Sequence, residues 1–131
     1  MINLDNSIII KDILPIFLIE NIRRNNDYYD NNMNGWGRGY VGLPNYHPYF
    51  GLKYDDLNFL SVHGYITYSG LVNELWIIGF DTNHYGDNLE NCNFKYVYSE
   101  TIKLKNQCMS NKDFQRIIKL NKINNLVLNN I

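Results

Sequence analysis

Between Ile8 and Arg24 the apolar residues Ile9, Ile13, Ile16, Phe17, Ile19 and Ile22 recur at spacings that suit one face of a helix. With Asp12 as N-cap and Pro15 near the first turn, the pattern predicts a helix over 12–24, and a short strand at Ile8 to Ile10 can lead into it. Asn25 to Gly39 is polar and glycine-rich and reads as a loop. Tyr40 to Leu43 reads as a short strand closed by Pro44, followed by a turn in which Pro48 disfavours helix at His47. Leu60 to Tyr68 alternates Val62, Gly64 and Ile66 against His63, Tyr65 and Thr67, the signature of a half-buried strand. Turn residues at 69–70 and 72–73 separate it from Glu74 to Phe80, whose continuous apolar run predicts a central strand antiparallel to its predecessor.

Val97, Thr101, Leu104 and Cys108 form a stripe at helical spacing, with Glu100 and Lys103 outside it, so 96–107 is predicted as helix over strand. Ser110 followed by Asp113 predicts the start of a last helix whose apolar face is Phe114, Ile117, Ile118 and Leu120. The tail 122–131 either prolongs that helix or forms a strand. The expectation is one α+β domain over 1–131, a small antiparallel sheet packed on one side by N- and C-terminal helices. A chain of 131 residues can bury roughly two thirds of its unfolded surface and needs no staple.

Composition narrows the partners. Twelve basic residues against 13 acidic ones give a net charge of -1, which speaks against direct nucleic-acid binding through neutralised phosphates, and Arg23-Arg24 is too small a basic group to change this. Cys92 and Cys108 fit no metal spacing and read as free thiols in a reducing compartment. No apolar run approaches the ~18 residues of a membrane span, and the first ten residues lack the basic start of a signal peptide, so a cytoplasmic protein without membrane contact is expected. Aromatic residues make up 15% of the chain, 11 of them tyrosines. Tyrosines beyond the needs of a core favour contact surfaces.

The candidate chemistry follows the strand predicted at 74–80, where Asp81, His84 and Asp87 stand at i, i+3 and i+6. Imidazole and carboxylate together suit zinc or manganese and an activated water, which makes His47, His63, Asp81 and His84 candidate metal ligands, Asp87 a base, and Tyr54 and Asp55 auxiliaries. The spacing D-x-x-H-x-x-D is no ligand signature. The plain alternatives are a turn-capping role for Asp81 and His84, a hydrogen-bonded strand histidine at 63, and a turn at His47-Pro48. Gly35 to Gly39 matches neither a P-loop nor a dinucleotide fingerprint, although Trp36 and Arg38 are the residue types that stack on a base and pair with a phosphate. No nucleophile motif is present.

The segments GYVGLPNYHPYFGLKYDDL, VHGYITYSG and ELWIIGFDTNHYGD resemble a family of small proteins encoded by phages and prophages of low-GC Gram-positive bacteria, over about 36–107. The chain has Tyr65 where that family's pattern carries a second glycine. The resemblance implies a phage accessory protein working in the host cytoplasm against a host defence system. One expectation is an anti-CRISPR-like inhibitor without cofactor that binds a host protein or nucleoprotein complex through Tyr28, Tyr29, Trp36, Arg38, Tyr46, Tyr49, Phe50 and Tyr85. The other is a small zinc- or manganese-dependent hydrolase, or a nucleotide-binding sponge, acting on a nucleotide signal, with His63, Asp81, His84 and Asp87 as its catalytic set.

Overall fold

The isoleucine-rich start of the chain is sheet, not helix. The computed structural model describes residues 2–22 and 34–129, with 123–129 described by their backbone alone. β1 (Ile8–Ile10) and β2 (Ile16–Glu20) pair antiparallel, so the strand at 8–10 stands while the helix expected over 12–24 is absent from its described part, 12–22. Ile16 and Leu18 enter one core cluster and Phe17 enters another on the opposite face of the sheet. A short strand buried on both faces is a continuous apolar run, which at this length also matches a helical stripe. Its β-branched residues favour the pleated form, and the Pro15 carbonyl accepts the Gly42 N–H at 2.9 Å.

β3 (Gly37–Leu43), β4 (Tyr68–Val72) and β5 (Leu75–Asp81) complete an antiparallel sheet ordered β1-β2-β3-β5-β4. β3 begins earlier than the Tyr40 expected, taking in the end of the glycine-rich segment, of which 25–33 lies outside the described residues. β5 is an interior strand antiparallel to β4, as its apolar run predicts.

The strand expected over 60–68 is instead irregular chain with a turn at His63-Gly64, and sheet starts only at Tyr68. Leu60, Val62 and Ile66 are buried in the main core, which explains the alternation without any ladder. The Tyr65 N–H closes a turn onto the Val62 carbonyl at 3.0 Å, with Gly64 and Tyr65 both at φ +66°. Tyr65 thus holds the left-handed backbone that glycine adopts most readily. Ser69 and Gly70 lie inside β4, and the β4–β5 reversal is Asn73-Glu74, whose two positive φ values make it a two-residue hairpin turn.

α1 (Phe94–Met109) starts at Asn93, whose side chain accepts the Tyr96 N–H, and buries Val97, Thr101, Leu104 and Cys108 as predicted. It packs on β3 and β2. α2 (Lys112–Asn129) is capped by Asn111, whose Oδ1 accepts the Phe114 N–H at 3.0 Å, and not by Ser110, which ends α1. The tail continues this helix to Asn129. Among the described residues the α-helices therefore both follow the sheet in sequence, and none is long and apolar enough to cross a membrane.

Candidate metal centre

β5 delivers Asp81 to the end of the sheet, and the next residue pins the exit. Thr82 is fully buried, donating its hydroxyl to the Gly37 carbonyl at 2.7 Å while its own carbonyl accepts the Gly35 N–H at 2.7 Å. Asp81 shapes the turn that follows: Oδ1 accepts the Asn83 N–H at 3.0 Å and Oδ2 the Thr67 hydroxyl at 3.1 Å. The chain then folds back through a turn closed by the Asp87 N–H on the His84 carbonyl, with Gly86 at φ +90°. This carries the Asp87 carboxylate inward, where only 6% of the residue is exposed.

Three donors converge on that carboxylate. His63 Nε2 lies 3.0 and 3.1 Å from its two oxygens, the His84 N–H donates to Oδ2 at 3.0 Å, and the Cys92 thiol points at Oδ1 from 3.7 Å. Burial by itself pushes the pKa of Asp87 up, but the bonds from His63, the His84 amide and Cys92 outweigh it and hold the carboxyl below its usual range. His63 reaches the site from the turn at 62–65 and is held by α1: its N–H donates to Glu100 Oε1 at 2.9 Å and its Nδ1 meets the Tyr96 hydroxyl at 2.9 Å. The His84 ring lies 6.0 Å from that of His63, centre to centre. Its Nδ1 is 3.3 Å from Asp81 Oδ1 and 3.4 Å from Asp87 Oδ2. These are ion-pair distances without hydrogen-bond angles, so Nδ1 is buried among carboxylate oxygens yet unbonded. Gly64 floors the ring, for a Cβ there would fall 2.6 Å from His84 Cε1.

One ligand atom each from His63, His84 and Asp87 can be chosen so that all lie within 4.8 Å of one another. A cation bonded at about 2.0–2.2 Å to nitrogen and oxygen holds tetrahedral ligands roughly 3.4 Å apart, so the trio closes on an ion by a small inward shift of its side chains, and three protein ligands leave a position for water. The His63 and His84 side chains are 20% and 40% exposed, so the open position faces solvent. Asp81 is not one of this trio, although its Oδ1 lies 3.3 Å from His84 Nδ1.

The fold also brings Cys92 Sγ to 3.9 Å from His63 Nε2, a pairing with no trace in the linear sequence. It is not a nucleophile pair. Burial first, then the Asp87 charge, pushes the thiol up to about 11, so it stays protonated and serves as a donor.

His47 does not join the group among the described residues. It is 3% exposed, its Nε2 donates to the Cys108 carbonyl at 3.0 Å, its Nδ1 accepts the Tyr49 N–H at 3.0 Å, and its ring lies on Phe114. Those two partners assign a neutral imidazole protonated at Nε2, and burial lowers its pKa below 6.5. The folded state therefore resists a proton that the unfolded chain accepts, so this contribution to stability is full above pH 6.5 and is lost as pH falls from 6.5 towards the folded value. Urea titrations should show wild type losing stability relative to His47→Gln over that range. Parallel curves for the two proteins would contradict the assignment.

The remaining candidates scatter. Tyr28 and Tyr29 lie outside the described residues. Trp36 packs edge-on against Phe94 at 4.8 Å and against the main core. Arg38 is half-buried on β3, cross-strand from Asp81. Tyr46 stacks on Phe114, Tyr49 lies against His47 and Phe59, and Phe50 against Trp76. Tyr85 is fully exposed. Tyr54 and Asp55 occupy a 3-10 turn, Tyr54–Leu57, and Asp55 is not among the clustered ligands. Tyr96 and Glu100 escaped the sequence reading; their i, i+4 spacing beside the buried stripe was the available signal. No protein-family model, curated protein or solved structure matches the chain.

Proposed function

We propose that this protein is a divalent-metal-dependent hydrolase of phosphodiester or nucleotide substrates. The observation that carries the reading is the convergence of His63, His84 and the buried Asp87 carboxylate at one solvent-facing point. Mixed nitrogen and oxygen donors suit zinc or manganese. The three side chains would hold the ion, which would supply an acidified water at its open position, and Asp81, 28% exposed beside His84, is the carboxylate left to accept a proton. A cation here also offsets the negative charge of Asp81 and Asp87 before an anionic substrate approaches. The counter-defence role implied by the phage resemblance fits this chemistry if the substrate is a nucleotide signal. The competing inhibitor reading draws less support, because three of its anchors, Trp36, Tyr49 and Phe50, are half-buried, and Trp36 and Tyr49 pack against the main core.

Zinc or manganese at 100 times its dissociation constant should stabilise the wild type by about 2.7 kcal/mol in thermal or urea unfolding. His63→Ala should abolish that gain together with the hydrolysis of bis(4-nitrophenyl) phosphate. Protein isolated without chelator that holds less than about 0.1 metal per chain and is unmoved by either ion would sink the proposal.

A further inference from the structure

We infer that Tyr96 is the positioning residue that lets His63 present Nε2 to the metal, an inference that rests on the metal reading above. His63 is gripped at its backbone by Glu100 and at both ring nitrogens, Nδ1 by the Tyr96 hydroxyl and Nε2 by Asp87. A neutral imidazole has one proton to place. An ionised carboxylate only accepts, so with Asp87 as the partner the proton sits on Nε2 and Nδ1 needs a donor. Tyr96 supplies its O–H. A cation at the site needs the Nε2 lone pair, and the proton then belongs on Nδ1, where it needs an acceptor. A hydroxyl can reverse its role by rotating about one bond, and the phenol keeps its own proton throughout.

The exchange balances: Nε2 gives one proton to solvent, Nδ1 takes one from solvent, and the ring stays neutral. The two rings meet edge to face, 5.4 Å apart at 88°, so they are not stacked, and the phenol oxygen stands 2.9 Å from Nδ1. An outer partner of this kind fixes both the tautomer and the aim of a ligating histidine. Asn93, which caps α1 through the Tyr96 N–H, fixes the phenol at the first turn of the helix.

Tyr96→Phe removes the hydroxyl and keeps the ring. Competition against a chromophoric chelator should show zinc bound roughly 10- to 100-fold more weakly than by wild type. Tyr98→Phe, two residues along the same helix, should bind as wild type does. Long-range proton–nitrogen spectra of the zinc-loaded wild type should show His63 protonated at Nδ1 and metal-bound at Nε2, and Tyr96→Phe should lose that single pattern. Zinc affinity within about twofold of wild type in Tyr96→Phe, alongside lost binding in His63→Ala, would overturn the role of Tyr96 and leave the metal reading standing. A wild type that binds no zinc would overturn both.

Discussion

Replacing Asp87 by Asn is expected to destabilise the protein by about 2–4 kcal/mol and to abolish metal binding. The carboxylate accepts from the His63 ring, the His84 amide and the Cys92 thiol, and its side chain is only 7% exposed. An amide of the same shape keeps one acceptor and turns its NH₂ group towards a donor, so at least one buried partner is left facing another hydrogen. The cost is that of unpaired buried polar groups and not of one lost contact. Thermal unfolding should fall by on the order of 10 °C. Asp81→Asn is the matched comparison, because that carboxylate is 28% exposed and its partners Thr67 and Asn83 can turn to water. It should cost about 1 kcal/mol or less while preserving metal binding. Equal losses in the two variants, from urea midpoints at unchanged m-value, would refute the view that Asp87 organises the centre.

The second large effect lies under α1. Gly39→Ala is expected to cost about 3 kcal/mol, because a Cβ on β3 would stand 1.9 Å from Thr101 Oγ1 and 2.9 Å from the Phe80 ring. Thr101 is fully buried and its hydroxyl is already spent on the Val97 carbonyl at 2.7 Å, so it cannot swing away without breaking a bond inside the helix. The helix itself must lift. Thr101→Ala should recover a substantial part of the loss when combined with Gly39→Ala, a coupling of roughly 1–2 kcal/mol in a double-mutant cycle. Additive losses would mean that helix and sheet do not meet at this point. The variant also probes the site, since the helix that would lift carries Tyr96 and Glu100, the two residues that hold His63.

Local pattern sufficed wherever one face of an element is buried and the other is wet. The stripe of Val97, Thr101, Leu104 and Cys108 announces α1, because burial on one side writes its period into the residues, and the unbroken run before Asp81 announces an interior strand by its short length between turn residues. The pattern misled where that link loosens. Ile16 to Ile19 is apolar on both faces and carries no strand period, and Leu60, Val62 and Ile66 alternate because they fill the core from a chain that forms no ladder. The turn carboxylate and histidine ending β5 were visible as types but not as partners. His63 and Asp87 are 24 residues apart and His63 and Tyr96 are 33 apart, and no local propensity encodes such distances. Sequence alone thus determined an α+β chain with polar groups at the end of a buried strand. Only the packing of α1 against the sheet decided that His63, His84 and Asp87 share one point while His47 is sealed elsewhere, because side-chain convergence is a property of elements held together by the core.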